Sequence, residues 1–177
     1  MFVEPLRHHC EFVSELARRF EQEWPEWYGP SGTGNAMQDL SAFANPEGVL
    51  PVGVIALSAA SQLCGIAALK AKGIAQFSHL SPWAAAGYVL PELRGRGIGA
   101  ALVGALLVEA RRLGYDTVYC ATSTAASLLQ REGWQLMERT MHDEKPICLF
   151  RSPSAASPFT RSATAGFTRF HPRMSSR

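Results

Sequence analysis

Arg94, Gly95, Arg96, Gly97, Ile98 and Gly99 concentrate the chemistry of this chain. They join an apolar run ending at Leu90 to a long amphipathic segment that stops at Gly114. Three glycines within five positions let the main chain approach a ligand with no Cβ atom intervening. The segment behind them supplies a helix N-terminus, whose unpaired N–H groups and positive dipole end attract anions. Two arginines add charge for phosphate oxygens. The turn is a candidate phosphate cradle. No Gly-Lys-Ser/Thr closes it, which argues against a P-loop. Gly95, Gly97 and Ala100 satisfy G-x-G-x-x-G/A literally, but Asp116 precedes its strand and too little chain follows for further βαβ repeats. A dinucleotide fold is therefore disfavoured.

Other reactive residues are sparse. Trp24, Trp27 and Tyr28 fall within five residues of one loop, either as a wall for a substrate or as a lid on the core. His8, His9 and His142 are expected at the surface, and Glu92 in solvent. No His, Cys, Asp or Glu grouping has metal-ligand spacing, so no metal is expected.

The elements that must position these residues follow from periodicity. Helical spacing of Leu6, Cys10, Val13, Leu16, Ala17 and Phe20 predicts a helix over 5–24, stopped before Pro25. Asn35 caps a short helix over 36–44. Residues 49–58 and 62–70 are apolar runs about a tight turn, an antiparallel hairpin. Residues 83–90 form the strand that enters the cradle. From Ile98 a helix with Leu102, Leu106 and Leu113 on one face ends at Arg111, Arg112 and a Gly114 cap, and belongs on a sheet. A strand over 117–121, a short helix over 124–131 and closing strands over 134–139 and 147–150 complete the order.

Strand, then Arg94-x-x-Gly97-x-Gly99, then helix, placed centrally in a chain of this size, resembles the acetyl-CoA loop of the GCN5-related N-acetyltransferase (GNAT) superfamily. The stretch Ser-Pro-Trp-Ala-Ala-Ala-Gly-Tyr-Val-Leu-Pro resembles its bacterial general acetyltransferase branch. The resemblance spans roughly residues 5–151. It implies an α/β fold with a mixed, mostly antiparallel central sheet flanked by helices and splayed between the fourth and fifth strands. It also implies acetyl-CoA as cofactor, with main-chain groups of Val89 and Leu90 on the pantetheine arm. Arg94, Gly95, Arg96, Gly97, Ile98, Gly99 and Ala100 would then surround the pyrophosphate. The reaction implied is direct attack by a primary amine of a small molecule or peptide on the thioester, with an amide of Val89 or Leu90 as oxyanion donor. The family's strand-four glutamate is missing, which leaves His79 as the candidate base, and Trp24, Trp27, Tyr28 and Trp83 as candidate acceptor-binding residues. Leu129 stands where the family usually carries an acidic tyrosine. Ser123, Thr124, Ser127 or water would protonate the thiolate instead. A non-catalytic acyl-CoA-binding module of the same fold is the alternative.

Composition is that of an ordinary globular protein of one domain. Residues 1–150 hold 12 Lys/Arg against 15 Asp/Glu, about −3, while residues 151–177 hold 5 Arg and no acid. The basic pI therefore comes from a Ser/Pro/Arg-rich tail over 152–177, expected to lack fixed structure, and is no argument for nucleic-acid binding. Cys10, Cys64, Cys120 and Cys148 form no C-x-x-C pair and suit small buried hydrophobes in a reducing compartment. Met1–Phe12 is unlike a signal peptide, and no apolar run reaches the roughly 20 residues of a membrane span. A cytoplasmic monomer or homodimer, with no nucleic-acid or membrane partner, is expected.

Overall fold

The computed structural model describes residues 1–153; the expected tail from residue 154 onward lies outside the described residues. In chain order the elements are β1 (Phe2–Pro5), α1 (Val13–Glu23), α2 (Pro25–Tyr28), α3 (Ala36–Phe43), β2 (Val52–Leu57) and β3 (Leu63–Lys70). β4 (Trp83–Val89), α4 (Ile98–Arg112), β5 (Tyr119–Thr122), α5 (Ala126–Arg131), β6 (Gln135–His142) and β7 (Lys145–Arg151) follow. The strands form one seven-stranded sheet in the order β1-β2-β3-β4-β5-β7-β6. Every neighbouring pair is antiparallel except β4 and β5. This is the expected fold class.

The centre of the sheet is buried on both faces because β2 and β3 carry apolar residues at consecutive positions, not alternate ones. Ile55, Leu57, Ile66 and Ala68 face α1 and α3, where they meet Leu16, Phe20, Leu40 and Phe43. Val54, Ala56, Ala67 and Leu69 face α4 and meet Leu102 and Leu106. A three-layer packing results, helix on sheet on helix.

The helix ends follow local chemistry. Asn35 Oδ1 accepts from the Gln38 N–H at 2.9 Å, which caps α3 as expected. At the end of α4, Tyr115 N–H donates to Ala110 O and Gly114 N–H to Arg111 O, a Schellman pair. The same pair closes α5, with Trp134 N–H on Leu129 O and Gly133 N–H on Gln130 O. Leu129 and Trp134 are both buried, as the apolar contact of that motif requires.

Several expectations are corrected. The helix predicted from residue 5 starts at Val13; Phe2–Pro5 is an edge strand paired with Leu57 to Val54, a position where a proline is tolerated. Two short 3-10 turns fill the interval and still bury Leu6. The loop expected after Trp24 contains the helical turn α2, begun by Pro25. β6 and β7 are longer than expected and meet at Asp143-Glu144, both at positive φ, a two-residue turn without the Asn or Gly that normally signals one. Cys10 is exposed, not buried. Ser152, expected in the tail, is buried: its N–H donates to Val118 O and its Oγ accepts from Val118 N–H. Among the described residues no helix is long and apolar enough to cross a membrane.

Two outcomes are expected. Leu106→Ala removes a fully buried side chain between α4 and the sheet and lowers unfolding stability by about 2–5 kcal/mol, measured by urea denaturation. His9 Nε2 lies 2.5 Å from Glu4 Oε2, and that contact holds its pKa above the usual value. A raised folded-state pKa stabilises most below the unfolded pKa and is lost as pH rises through the folded value. Glu4→Gln therefore destabilises more at about pH 5.5 than at about pH 8.5.

Candidate functional site

The site begins with a mismatch inside the sheet. β4 and β5 run parallel but pair only at Trp83 and Tyr119, where Tyr119 N–H donates to Pro82 O at 2.9 Å. Beyond that point β5 gives its hydrogen bonds to β7 and β4 gives its own to β3. The two strands separate toward their C-terminal ends. A bulge contributes: Ile66 faces Tyr88 and Ala68 faces Ala85, so Ala86 and Gly87 together oppose Ala67. Ala86 sits at φ 53°, a conformation an L residue rarely adopts, and it lines a cavity beside the gap.

At the far end of the gap lies the cradle. Pro91–Leu93 forms one 3-10 turn, after which Gly95 at φ 77° and Gly97 at φ 80° swing the chain into α4. Gly97 is the N-cap of α4, and no side chain caps that end. The first helical amide with a main-chain acceptor is Ala101, on Gly97 O at 3.1 Å. Among the described residues, the six amides from Gly95 to Ala100 have no acceptor. A Cβ added at Gly95 or Gly97 would meet nothing within 4 Å. Gly95, Gly97, Ile98, Gly99 and Ala100 line open space of about 390 Å³, together with Val89, Leu93, Leu128 and Arg131. Ile98 contributes its amide alone, its side chain being part of the core.

The two arginines differ. Arg94 was expected to supply charge to phosphate, but its side chain is occupied: Nε donates to Val89 O at 3.0 Å and Nη2 bridges to Glu23 Oε1 at 2.7 Å. Its guanidinium also lies 5.9 Å from the centre of the Tyr88 ring. Arg94 acts as a strut from the exit of β4 to the end of α1. Arg96 is exposed and has no ion pair among the described residues, so it retains the expected character. Val89 and Leu90 separate as well. Leu90 N–H is consumed by Cys64 O at 3.0 Å. Strand alternation then turns the main-chain groups of Val89 away from β3, toward the gap.

A second cavity, of about 740 Å³, adjoins β4 on the side of α1 and α2. Trp24, Trp27 and Tyr28 line it with Ala85, Ala86, Ala121 and His142. The aromatic loop serves as wall and lid together. Trp24 packs edge-on to Phe20 at 4.8 Å between ring centres and Tyr28 lies 5.7 Å from the same ring, while Trp27 is half exposed. Tyr28 donates its hydroxyl to Asp39 Oδ2 at 2.7 Å, and burial with this bond pushes its pKa well above the ordinary value. Such a tyrosine stays neutral and is a poor proton source.

Two expected residues lie elsewhere. Trp83 is buried against Phe77 and Leu149, its indole N–H on Leu80 O at 2.7 Å, so it is a core residue and no wall of the cavity. His79 is exposed in the turn before β4 and does not line the cavity. His142, expected at the surface, does line it from the end of β6. Glu23, Glu26 and Lys70 also line the cavity, and nothing in their local sequence distinguishes them from solvated charges. Only the pairing of distant segments brings them together. Leu129 is 2% exposed in the core, and Ser123, Thr124 and Ser127 are exposed beyond β5.

Comparison with known proteins agrees with this geometry. Residues 52–136 match the family described as acetyltransferase (GNAT) domain. No curated protein sequence matches the chain. The fold is similar to that of the aminoglycoside 6'-N-acetyltransferase from Enterococcus faecium, at 17% identity over 86% of this chain and 96% of that one, with a TM-score of 0.67. It is equally similar to a GCN5-related N-acetyltransferase from Kribbella flavida, at 19% identity over the same shares and the same TM-score. YncA of Salmonella typhimurium, solved with its cofactor acetyl-CoA, aligns at 15% identity over 90% of this chain and 98% of that one, with a TM-score of 0.64. The divergent β4 and β5 and the glycine turn fall within the matched segment, which runs from β2 into β6, and the fold of the chain is that of the GNAT acetyltransferases.

Proposed function

We propose that this chain is an acetyl-CoA-dependent N-acetyltransferase that acetylates a primary amine of a small molecule or peptide by direct transfer. The observation that carries the reading is the run of unpartnered amides from Gly95 to Ala100, facing open space where β4 and β5 part. Main-chain N–H groups at a helix N-terminus suit a pyrophosphate, and the absence of Cβ atoms at Gly95 and Gly97 leaves room for it. The solved relative with acetyl-CoA supports the same cofactor. The domain proposed for this role is residues 1–151, with Ser152 bonded to Val118 at its close.

Coenzyme A, when bound, supplies an acyl thioester with a good leaving group. The protein's share is positioning, which turns a bimolecular encounter into a near-unimolecular step. Val89 offers the main-chain N–H on the gap side of β4, the place for polarising a thioester carbonyl. The cavity beyond Ala86 holds the amine. His142 replaces His79 as the proposed proton acceptor, since it is the imidazole that lines the cavity. Leaving-thiolate protonation falls to water, because Leu129 is sealed in the core and a thiol of reference pKa about 8.5 needs little help. Burial pushes the Cys120 thiol up to about 12, so it stays protonated and is no acyl carrier at neutral pH. This favours one-step transfer over a covalent enzyme intermediate.

The buried Leu129 in place of an acidic group is the one observation that favours the second reading, a non-catalytic acyl-CoA-binding module. Thiol release from acetyl-CoA across a panel of primary amines separates the two. Rates at background for every amine, together with measurable binding, would leave only the module. At acetyl-CoA concentrations of about 100 times Kd, thermal stability should rise by an amount equivalent to about 2.7 kcal/mol. Gly97→Asp, which sets a side chain and a negative charge against the amides, should abolish that rise, and an unchanged rise would refute the cradle. His142→Gln should lower kcat/KM by roughly 10²-fold, whereas His79→Gln should leave it unchanged.

A further inference from the structure

The charges that line the amine cavity are neutralised by neighbours, with one exception. Glu23 is bridged to Arg94 at 2.7 Å and Glu26 to Lys145 at 2.9 Å. Lys70 lines the same cavity and has no acidic partner among the described residues. It is half-buried, unlike Lys72 two positions on, which is exposed and does not line the cavity. An ammonium group removed in part from water gains most from an anionic partner. Glu23 and Glu26 line the same cavity but pair elsewhere, so among the described residues Lys70 has no acidic group within 4.0 Å.

The position of that charge is informative. Lys70 closes β3 and sits opposite Trp83, the first residue of β4. About 10 Å of strand separates Trp83 from the bulge at Ala86, and Val89 lies about as far again. Lys70 therefore stands at the end of the cavity remote from the cradle, while the gap and Val89 stand at the near end. A molecule bound with its amine toward the gap has its other end toward Lys70.

We propose that the acceptor is a primary amine that also bears an anionic group, a carboxylate or a phosphate, and that Lys70 binds this anion. The inference rests on the acetyltransferase reading and adds its substrate class. A free amino acid, a short peptide with a free C-terminus or a phosphorylated amine fits this description. A polycation does not, because its additional ammonium groups would face Lys70.

The test uses matched amines in the thiol-release reaction of the full chain. Glycyl-phenylalanine against glycyl-phenylalaninamide probes a carboxylate, phosphoethanolamine against ethanolamine probes a phosphate, and kanamycin serves as the polycation. In at least one pair the anionic member should be favoured in kcat/KM by about tenfold or more, the worth of one charge-assisted hydrogen bond. The difference should lie in KM. Lys70→Gln should erase the preference and Lys70→Arg should keep it, with the stabilisation by acetyl-CoA intact in both as the check on folding. Equal rates within both pairs, a preference that survives Lys70→Gln, or a preference for kanamycin overturns the inference while leaving the acetyltransferase reading in place. Background rates with every amine despite acetyl-CoA binding remove that reading first, and the substrate class with it.

Discussion

The opening in this molecule depends on hydrogen bonds that the main chain leaves unmade. A sheet normally pairs both edges of an interior strand, because an orphaned amide in a dry environment costs free energy. β4 and β5 break that habit after one residue pair, and α4 begins with a run of amides that no side chain caps. The remaining strands compensate. β2 and β3 are buried along their length, and α1, α3 and α4 clamp them from both faces, so the opening is confined to one place and stays there. Burial is concentrated in one half of the sheet, and the opening lies at its divide.

The two cavities on either side of that divide share structural members. Arg94 belongs to the cradle wall, Glu23 to the wall of the amine cavity, and their ion pair joins them across Val89. Arg94 thus ties the end of α1 to the exit of β4 while still lining the cavity at the glycine turn. The main chain of the turn, whose position is set by α4 and the sheet, keeps its amides unpartnered. A rigid donor set of this kind needs no reorganisation when charge arrives.

The cradle was legible in the sequence because its physics is local: glycines at fixed offsets, a following amphipathic helix and an apolar strand before it. The hairpin of β2 and β3 and the caps of α3 and α4 were legible for the same reason. The walls of the amine cavity were not. Lys70, Glu23 and His142 come from three separate segments, and only strand pairing and helix docking bring them to one space. Trp83 misled in the opposite direction, since a tryptophan on the strand that enters the glycine turn looks like a substrate wall until the turn at Leu80 claims its indole N–H. β1 escaped notice because four residues at an edge carry too short a pattern to distinguish from the start of a helix.

The outer rim of the amine cavity is held differently from its floor. The hairpin turn of β6 and β7 touches α2 through Lys145 and Glu26, two largely exposed side chains whose attraction ordinary salt screens. The floor, by contrast, is β4 laddered to β3. The rim is therefore the more weakly tied part of the enclosure, and added salt weakens its ion pair while leaving the ladder beneath untouched.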